Sequence, residues 1–173
     1  MTTPESSRDM RLLAQDDLGG FGNVGEGMVI QLARDGRRVL WLAHESAPKN
    51  VTAVDVTDPR KPAVILQTDL PHGHMRSNSL DLAGDLLVVA YQTRTVGLEP
   101  AGFEIFDVAD PGTPRSVAFF DASGPHSRGV HHLWFVDGAH VHMASGAADF
   151  RARDPKDAQC YRIVDVRQPA RPV

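Results

Sequence analysis

The sequence predicts an all-β fold made of about three similar, four-stranded antiparallel sheets. Two observations predict it: one strand-like phrase that runs into a proline turn occurs three times, and short apolar runs joined by Gly/Asp turns precede each copy. Self-similarity at a fixed period is typical of repeat architectures. The composition fits a folded chain, because 42% of the 173 residues are hydrophobic. We therefore expect a single domain covering residues 1–173.

The repeated phrase combines a strand with a turn. Its first half is rich in β-branched and aromatic residues, which favour a pleated surface, and the proline that follows excludes a helix. Each copy carries an aspartate at the same place, and we expect this carboxylate to accept hydrogen bonds from turn N–H groups rather than to act in catalysis. The copies are Thr52–Pro62, Glu104–Pro114 and Arg162–Pro172, with the shared aspartates Asp55, Asp107 and Asp165.

Two runs joined by a tight turn precede each phrase, and one run follows it. In the second copy, Leu80–Ala83 and Leu86–Tyr91 flank Gly84-Asp85, a dipeptide that marks a hairpin. The corresponding runs elsewhere are Val29–Ala33, Val39–Ala43, Leu133–Val136 and His140–Ala144, and the runs that follow a phrase are Ala63–Gln67 and Ser116–Phe120.

Four strands per repeat is the blade of a β-propeller. The sequence thus predicts a β-propeller-type fold of about three four-stranded antiparallel blades, with repeats at approximately residues 10–62, 63–114 and 115–173. Closed propellers use roughly 4–8 blades, so we expect an incomplete propeller.

The two terminal blades have predictable consequences. Met10–Leu18 resembles Ala63–Leu70 and is predicted to be an outer strand that closes the last blade. Apolar residues of the terminal blades are predicted to be uncovered, so the expected partners are the remaining blades of a longer propeller or a second copy. The residues predicted to lack a covering neighbour are Val39, Trp41, Tyr161 and Ile163. The aromatic residues interpreted as core between blades are Trp41, Tyr91, Trp134 and Phe135.

Charge and apolar runs exclude several classes of protein. Eighteen basic and 22 acidic residues give a net charge of −4, which predicts no nucleic-acid partner and no anionic membrane surface. The longest apolar runs are far shorter than the roughly 18–20 residues of a membrane helix. No apolar signal region opens the chain, so we expect a cytoplasmic protein. Cys160 is the single cysteine, which excludes an internal disulfide and a cysteine zinc cluster.

A glycine motif near the start leaves one alternative open. Gly20, Gly22 and Gly25 match G-x-G-x-x-G, and Glu45 stands where a ribose-binding acid follows in an NAD-binding fold. A buried parallel strand should however be apolar up to the turn, and here Asp16-Asp17 precede the glycines. We predict instead that residues 20–34 are a loop leading into a strand, without a helix.

Polar residues at the loops that enter the inner strands are the candidate site. An anionic or polar ligand could be bound by Arg76, Asn78 and Arg128. Inner strands line the central channel of a propeller, so these loops would form the rim of its mouth. Two or three neutral imidazoles at this rim would suit zinc, copper or iron. The alternative function is therefore a metal-dependent oxidoreductase or hydrolase. The histidines concerned are His72, His74, His126, His131 and His132. No catalytic residue is predicted, and the leading hypothesis is a module that binds a ligand or partner through its loop face.

The phrases and rim motifs together resemble the LVIVD-repeat proteins, a bacterial and archaeal β-propeller group named for strands such as Arg162–Val166. The most specific stretches are Leu40–Asn50, Pro71–Leu80 and Pro125–Phe135. The resemblance implies the N-terminal portion of a longer propeller, and it implies no settled activity. A more remote similarity in architecture is to the selenium-binding protein and methanethiol oxidase propellers, which hold a metal with histidines.

Overall fold

The structure is a computed structural model that describes residues 10–154 and 157–173. Within that part, the regular elements are strands apart from a short 3-10 helix at Leu18–Gly20. The strands form three antiparallel sheets, so the predicted all-β class is confirmed. No helix among the described residues is long and apolar enough to cross a membrane.

The first sheet has four strands that follow one another in space in chain order. Side chains alternate between the two faces of a strand, so Val39, Trp41 and Ala43 of the second strand lie on the same face, where all three are fully buried. Gly36 supplies the positive φ of the hairpin turn. The strands are β1 (Val24–Leu32), β2 (Arg38–His44), β3 (Lys49–Asp55) and β4 (Ala63–Asp69).

The second sheet has five strands, because its inner edge is built from two short pieces. Both pieces pair with the same long strand, one after the other. The strands are β5 (Met75–Arg76), β6 (Leu80–Ala83), β7 (Leu86–Thr93), β8 (Gly102–Asp107) and β9 (Arg115–Asp121). Leu86–Tyr91 of β7 is a continuous apolar run, and both faces of the strand are covered, one by the first sheet and the other by the third.

The third sheet has three strands: β10 (Val130–Trp134), β11 (His140–Ser145) and β12 (Cys160–Asp165). Beyond the turn that follows β12, Val173 exchanges two backbone hydrogen bonds with Asp165. The expectation of four strands in every sheet is therefore correct only for the first sheet. Otherwise the expected runs coincide with the observed strands to within a few residues at most ends.

The second sheet lies between the other two, and each of its faces contributes to a hydrophobic core. Leu87, Val89 and Tyr91 pack with the first sheet, including Trp41. The opposite face of the same sheet packs against Phe135 and its neighbours in the third sheet. Three of the four aromatic residues expected between sheets are indeed buried there.

Two expectations about the terminal sheets are wrong, because each depended on which face of the sheet is covered by a neighbouring sheet. Val39 and Trp41 are fully buried because the face that carries them packs on the second sheet. Trp134 is 60% exposed because it lies on the outer face of the third sheet, which has no neighbouring sheet in the described chain. The predicted exposure of Tyr161 and Ile163 on that outer face is confirmed, at 70% and 53%.

The expected N-terminal strand is also absent from the described structure. Residues 10–17 carry no strand, and Leu12 is largely exposed. Leu18 is buried against Leu42 and Val54 on the outer face of the first sheet. The segment therefore covers part of that face with one leucine instead of adding a strand.

The glycine-rich run leads directly into β1, as predicted, and no helix follows it. The NAD-binding interpretation is therefore wrong, since its pyrophosphate site requires the N-terminus of a helix. Gly27 has another physical role: a Cβ there would lie 2.4 Å from the backbone nitrogen of Leu80. The missing side chain lets β1 lie directly against the inner edge of the second sheet.

The shared aspartates make the predicted turn bonds. The backbone N–H two residues later donates to Oδ1 of each aspartate, at 2.9 Å in Asp55, 3.0 Å in Asp107 and 2.9 Å in Asp165. These bonds hold the pKa of each carboxyl below its usual value, together with a threonine hydroxyl at Asp55 and arginines at the other two.

Candidate functional site

The segment Ser77–Ser79, between β5 and β6, joins all three sheets. The backbone N–H of Gly27 in β1 donates to the Asn78 carbonyl at 3.2 Å. On the other side, Asn78 Nδ2 donates to the carbonyl of His131 at 2.8 Å, and the N–H of Leu133 donates to Ser79 Oγ at 3.2 Å. The segment is fully buried, and it fixes the positions of the polar side chains around it.

Arg76 is held by two acceptors from neighbouring segments. Its Nη1 bonds Glu45 Oε2, in an ion pair that is about one quarter exposed on both sides. Its Nε and Nη2 both donate to Gln92 Oε1, at 3.1 and 2.6 Å. The positive charge of Arg76 is therefore compensated by Glu45, and its planar group has a fixed orientation.

His131 lies next to the same glutamine. Its Nδ1 is 3.2 Å from Gln92 Oε1 and 3.2 Å from Asn78 Nδ2. Burial lowers the pKa of the imidazole, and the charge of Arg76 lowers it further, while Glu26 opposes these effects. The lowered pKa favours the neutral imidazole, and Nδ1 of the ring is engaged inside the cluster.

Arg128 completes the cluster from the loop before β10. Its Nε donates to the carbonyl of Thr93 at 2.9 Å, while its own carbonyl accepts from the Thr93 N–H at 2.8 Å. Partial burial lowers its pKa, and so does the charge of Arg76, but the group stays protonated. No carboxylate of residues 10–154 or 157–173 forms an ion pair with Arg128.

The three ligand-binding candidates, Arg76, Asn78 and Arg128, thus lie in one cluster with His131 and Gln92, which we call the Arg128 cluster. Gln92 was not among the residues predicted for the site, and Glu45 was considered only as a ribose ligand. A signal for Gln92 was present, because a polar residue directly follows the apolar run of β7. Glu45 pairs with Arg76 and is not a ribose ligand.

The other candidate histidines are dispersed. His72 and His74 are neighbours in the loop before β5, with ring centroids 6.1 Å apart. His126 is exposed in a loop, and His132 is exposed on β10. In the part of the chain that the structure describes, no three His, Cys, Asp or Glu residues are arranged to hold a metal ion.

Fold and site together define an all-β protein of three antiparallel sheets, with a polar cluster where the sheets meet. The chain matches no protein-family model, and it matches no curated protein.

Proposed function

We propose that this chain is a β-propeller-type, LVIVD-repeat module that binds a small oxyanion, a carboxylate or a phosphate, at the Arg128 cluster. The proposal assigns binding to the cluster and no reaction. The observation that carries it is the state of Arg128, a partly buried cation without a carboxylate partner in the described chain.

The repeat architecture supports the propeller-type assignment. The shared aspartates head the same turn in all three sheets, and the sheets pack face to face in chain order. Small antiparallel sheets that pack face to face in series are the units of propellers, and the first sheet here has the four strands of a propeller blade. The LVIVD phrase agrees with the same assignment.

Electrostatics support an anionic ligand. Removing a cation from water is costly unless an opposite charge or hydrogen-bond acceptors replace the water. Arg76 has such an opposite charge in Glu45, whereas Arg128 has one backbone carbonyl on Nε. A guanidinium matches the two oxygens of a carboxylate or phosphate, so an oxyanion would supply the missing acceptors.

The neighbouring groups favour a small ligand over a long chain. Gln92 and Asn78 are fully buried, and they hold His131 at the edge of the cluster. Their positions are fixed by the backbone bonds of the inner strands, so the cluster is formed before any ligand arrives. Preorganisation of this kind lowers the cost of binding.

The proposal is tested by titrating the ¹⁵N-labelled chain with acetate, with inorganic phosphate and with uncharged glycerol. We expect at least one anion to shift the side-chain signals of Arg128, His131 and Gln92, and glycerol to leave them unchanged. The acetate and phosphate arms show which oxyanion is preferred.

Arg128→Gln should weaken anion binding about tenfold or more. A hydrogen bond to a charged group contributes about 1.5–3 kcal/mol, and about 1.4 kcal/mol corresponds to a factor of ten in affinity. The matched control is Arg94→Gln, which removes an exposed arginine close by in sequence. Equal binding by the wild type and Arg128→Gln, or no shift with either anion, would show that the proposal is wrong.

A further inference from the structure

The outer face of the third sheet carries apolar residues at the same positions, relative to the shared aspartate, as two faces that are buried inside the molecule. Two positions before each shared aspartate are Ala53, Ile105 and Ile163. Ala53 is fully buried against the second sheet, and Ile105 is fully buried against the third. Ile163 is 53% exposed.

The same comparison holds four positions before the aspartate. Val51 and Phe103 are buried in the first and second cores, whereas Tyr161 is 70% exposed. Tyr161 and Ile163 lie beside Trp134, since the register of the sheet places Trp134, His142 and Ile163 opposite one another. We call the surface of these residues the Tyr161 face.

The first sheet carries the complementary half of the internal contact. Leu80 and Leu133, on the inner strands β6 and β10, are buried against the preceding sheet. The residue of β1 at the same register is Met28, which pairs with Leu42 as Leu80 pairs with Val89 and Leu133 with Met143.

Met28 is 60% exposed, and Ile30, two residues later, is 58% exposed. Leu18 covers only the Leu42 side of this surface. We call the exposed strip of Met28, Ile30 and Leu32 the Met28 face.

From this equivalence we infer that the Tyr161 face binds the Met28 face of a second copy of the chain, head to tail. The contact would repeat the one already made between the first and second sheets and between the second and third. Large side chains of both surfaces are apolar and exposed, although the Tyr161 face also carries His142, whose Nδ1 bonds the Tyr161 hydroxyl. Large exposed apolar patches usually mark interfaces. A second copy is the partner that carries the required complementary face, and a contact between two different faces is heterologous.

The test uses light scattering to measure the mass of the purified 173-residue chain over a range of concentrations. We expect a mass of at least two copies. Ile163→Asp places a charge in the Tyr161 face, and Met28→Asp places a charge in the Met28 face. Each variant should be a folded monomer, because both residues are more than half exposed. The matched control Val96→Asp, at an exposed loop position outside both faces, should associate like the wild type.

Mixing the two variants distinguishes a head-to-tail contact from other arrangements. The Tyr161 face of Met28→Asp and the Met28 face of Ile163→Asp are both intact, so an equimolar mixture should regain a mass of two copies. Association of Met28→Asp alone would instead indicate contact between like faces and overturn the inference. A folded, monomeric wild type would also overturn it.

Discussion

Asn78 donates a hydrogen bond from Nδ2 to the backbone carbonyl of His131, at 2.8 Å, and this bond ties the inner edge of the second sheet to that of the third. Its backbone carbonyl accepts from Gly27 of the first sheet, so one residue contacts all three sheets. The bond also places His131 beside Gln92, and the position of the Arg128 cluster depends on it.

Replacing Asn78 should therefore destabilise the fold. Asn78→Ala leaves the partly buried carbonyl of His131 without this donor, and an unsatisfied buried group costs about 1–3 kcal/mol. Urea unfolding measures the free energy directly. Asn23→Ala is the matched control, since Asn23 makes an exposed amide bond to Ser46, and it should change stability by less than about 0.5 kcal/mol. Equal effects of the two substitutions would contradict the role given to Asn78.

Gly102 should tolerate no side chain. An added Cβ would lie 1.9 Å from the carbonyl oxygen of Phe120 on the adjacent strand β9, and backbone cannot move as a side-chain end can. We expect Gly102→Ala to cost at least about 1–3 kcal/mol, the usual range for overpacking. Gly73→Ala is the control, because a Cβ there meets nothing within 4 Å. Thermal unfolding that ranks Gly73→Ala as the less stable variant would refute this account.

Acidic pH should destabilise the turn that follows β12, which begins at Asp165. The side chain and backbone N–H of Arg167 lower the pKa of Asp165 from its ordinary value of 3.8 to about 2. A carboxyl whose pKa is depressed on folding stabilises the protein above its unfolded pKa, and this stability is lost as pH falls from about 4 to about 2.

The ¹³C signal of the Asp165 carboxyl should therefore titrate near pH 2. In Asp165→Asn, the part of the acid destabilisation that belongs to this window should be missing. A titration midpoint near 4 in the folded protein would show that the turn bonds do not favour the ionised form.

Alkali should weaken the contact between the first and second sheets. The Tyr91 hydroxyl donates to Glu104 Oε2 at 2.8 Å and accepts from Asn50 Nδ2 at 2.8 Å. Burial, and then the charge of Glu104, raise its pKa well above 10. The unfolded chain ionises this tyrosine near pH 10 while the folded chain does not, so stability should fall as pH rises above about 10.

This alkaline effect can be assigned because the chain has two tyrosines. In Tyr161→Phe, the absorbance change of the phenolate reports Tyr91 alone, and it should appear together with unfolding. Tyr91→Phe should lack that part of the alkaline destabilisation. Ionisation of Tyr91 in the folded protein near pH 10 would contradict the expectation.

Local features of this protein were predictable from the sequence because their causes are local. The turn after Asp55 needs only a carboxylate and an N–H two residues later, and the strands need only alternating or continuous apolar runs. The positions of Arg76, Asn78 and Arg128 at one rim followed from aligning the repeats. Their partners Gln92 and Glu45 did not, because hydrogen bonds between distant segments depend on how the sheets dock.

The sequence by itself determined most of the strands, the turns after the shared aspartates and the all-β class, since each depends on residues close together in the chain. The tertiary structure alone decided which faces are covered. Trp41 and Trp134 both lie in strands, yet one is fully buried and the other 60% exposed, because in the described chain a neighbouring sheet covers only the face of Trp41. It also decided that Glu45 neutralises Arg76 and leaves Arg128 without a carboxylate in the described chain, a balance of charge set by the packing of the sheets.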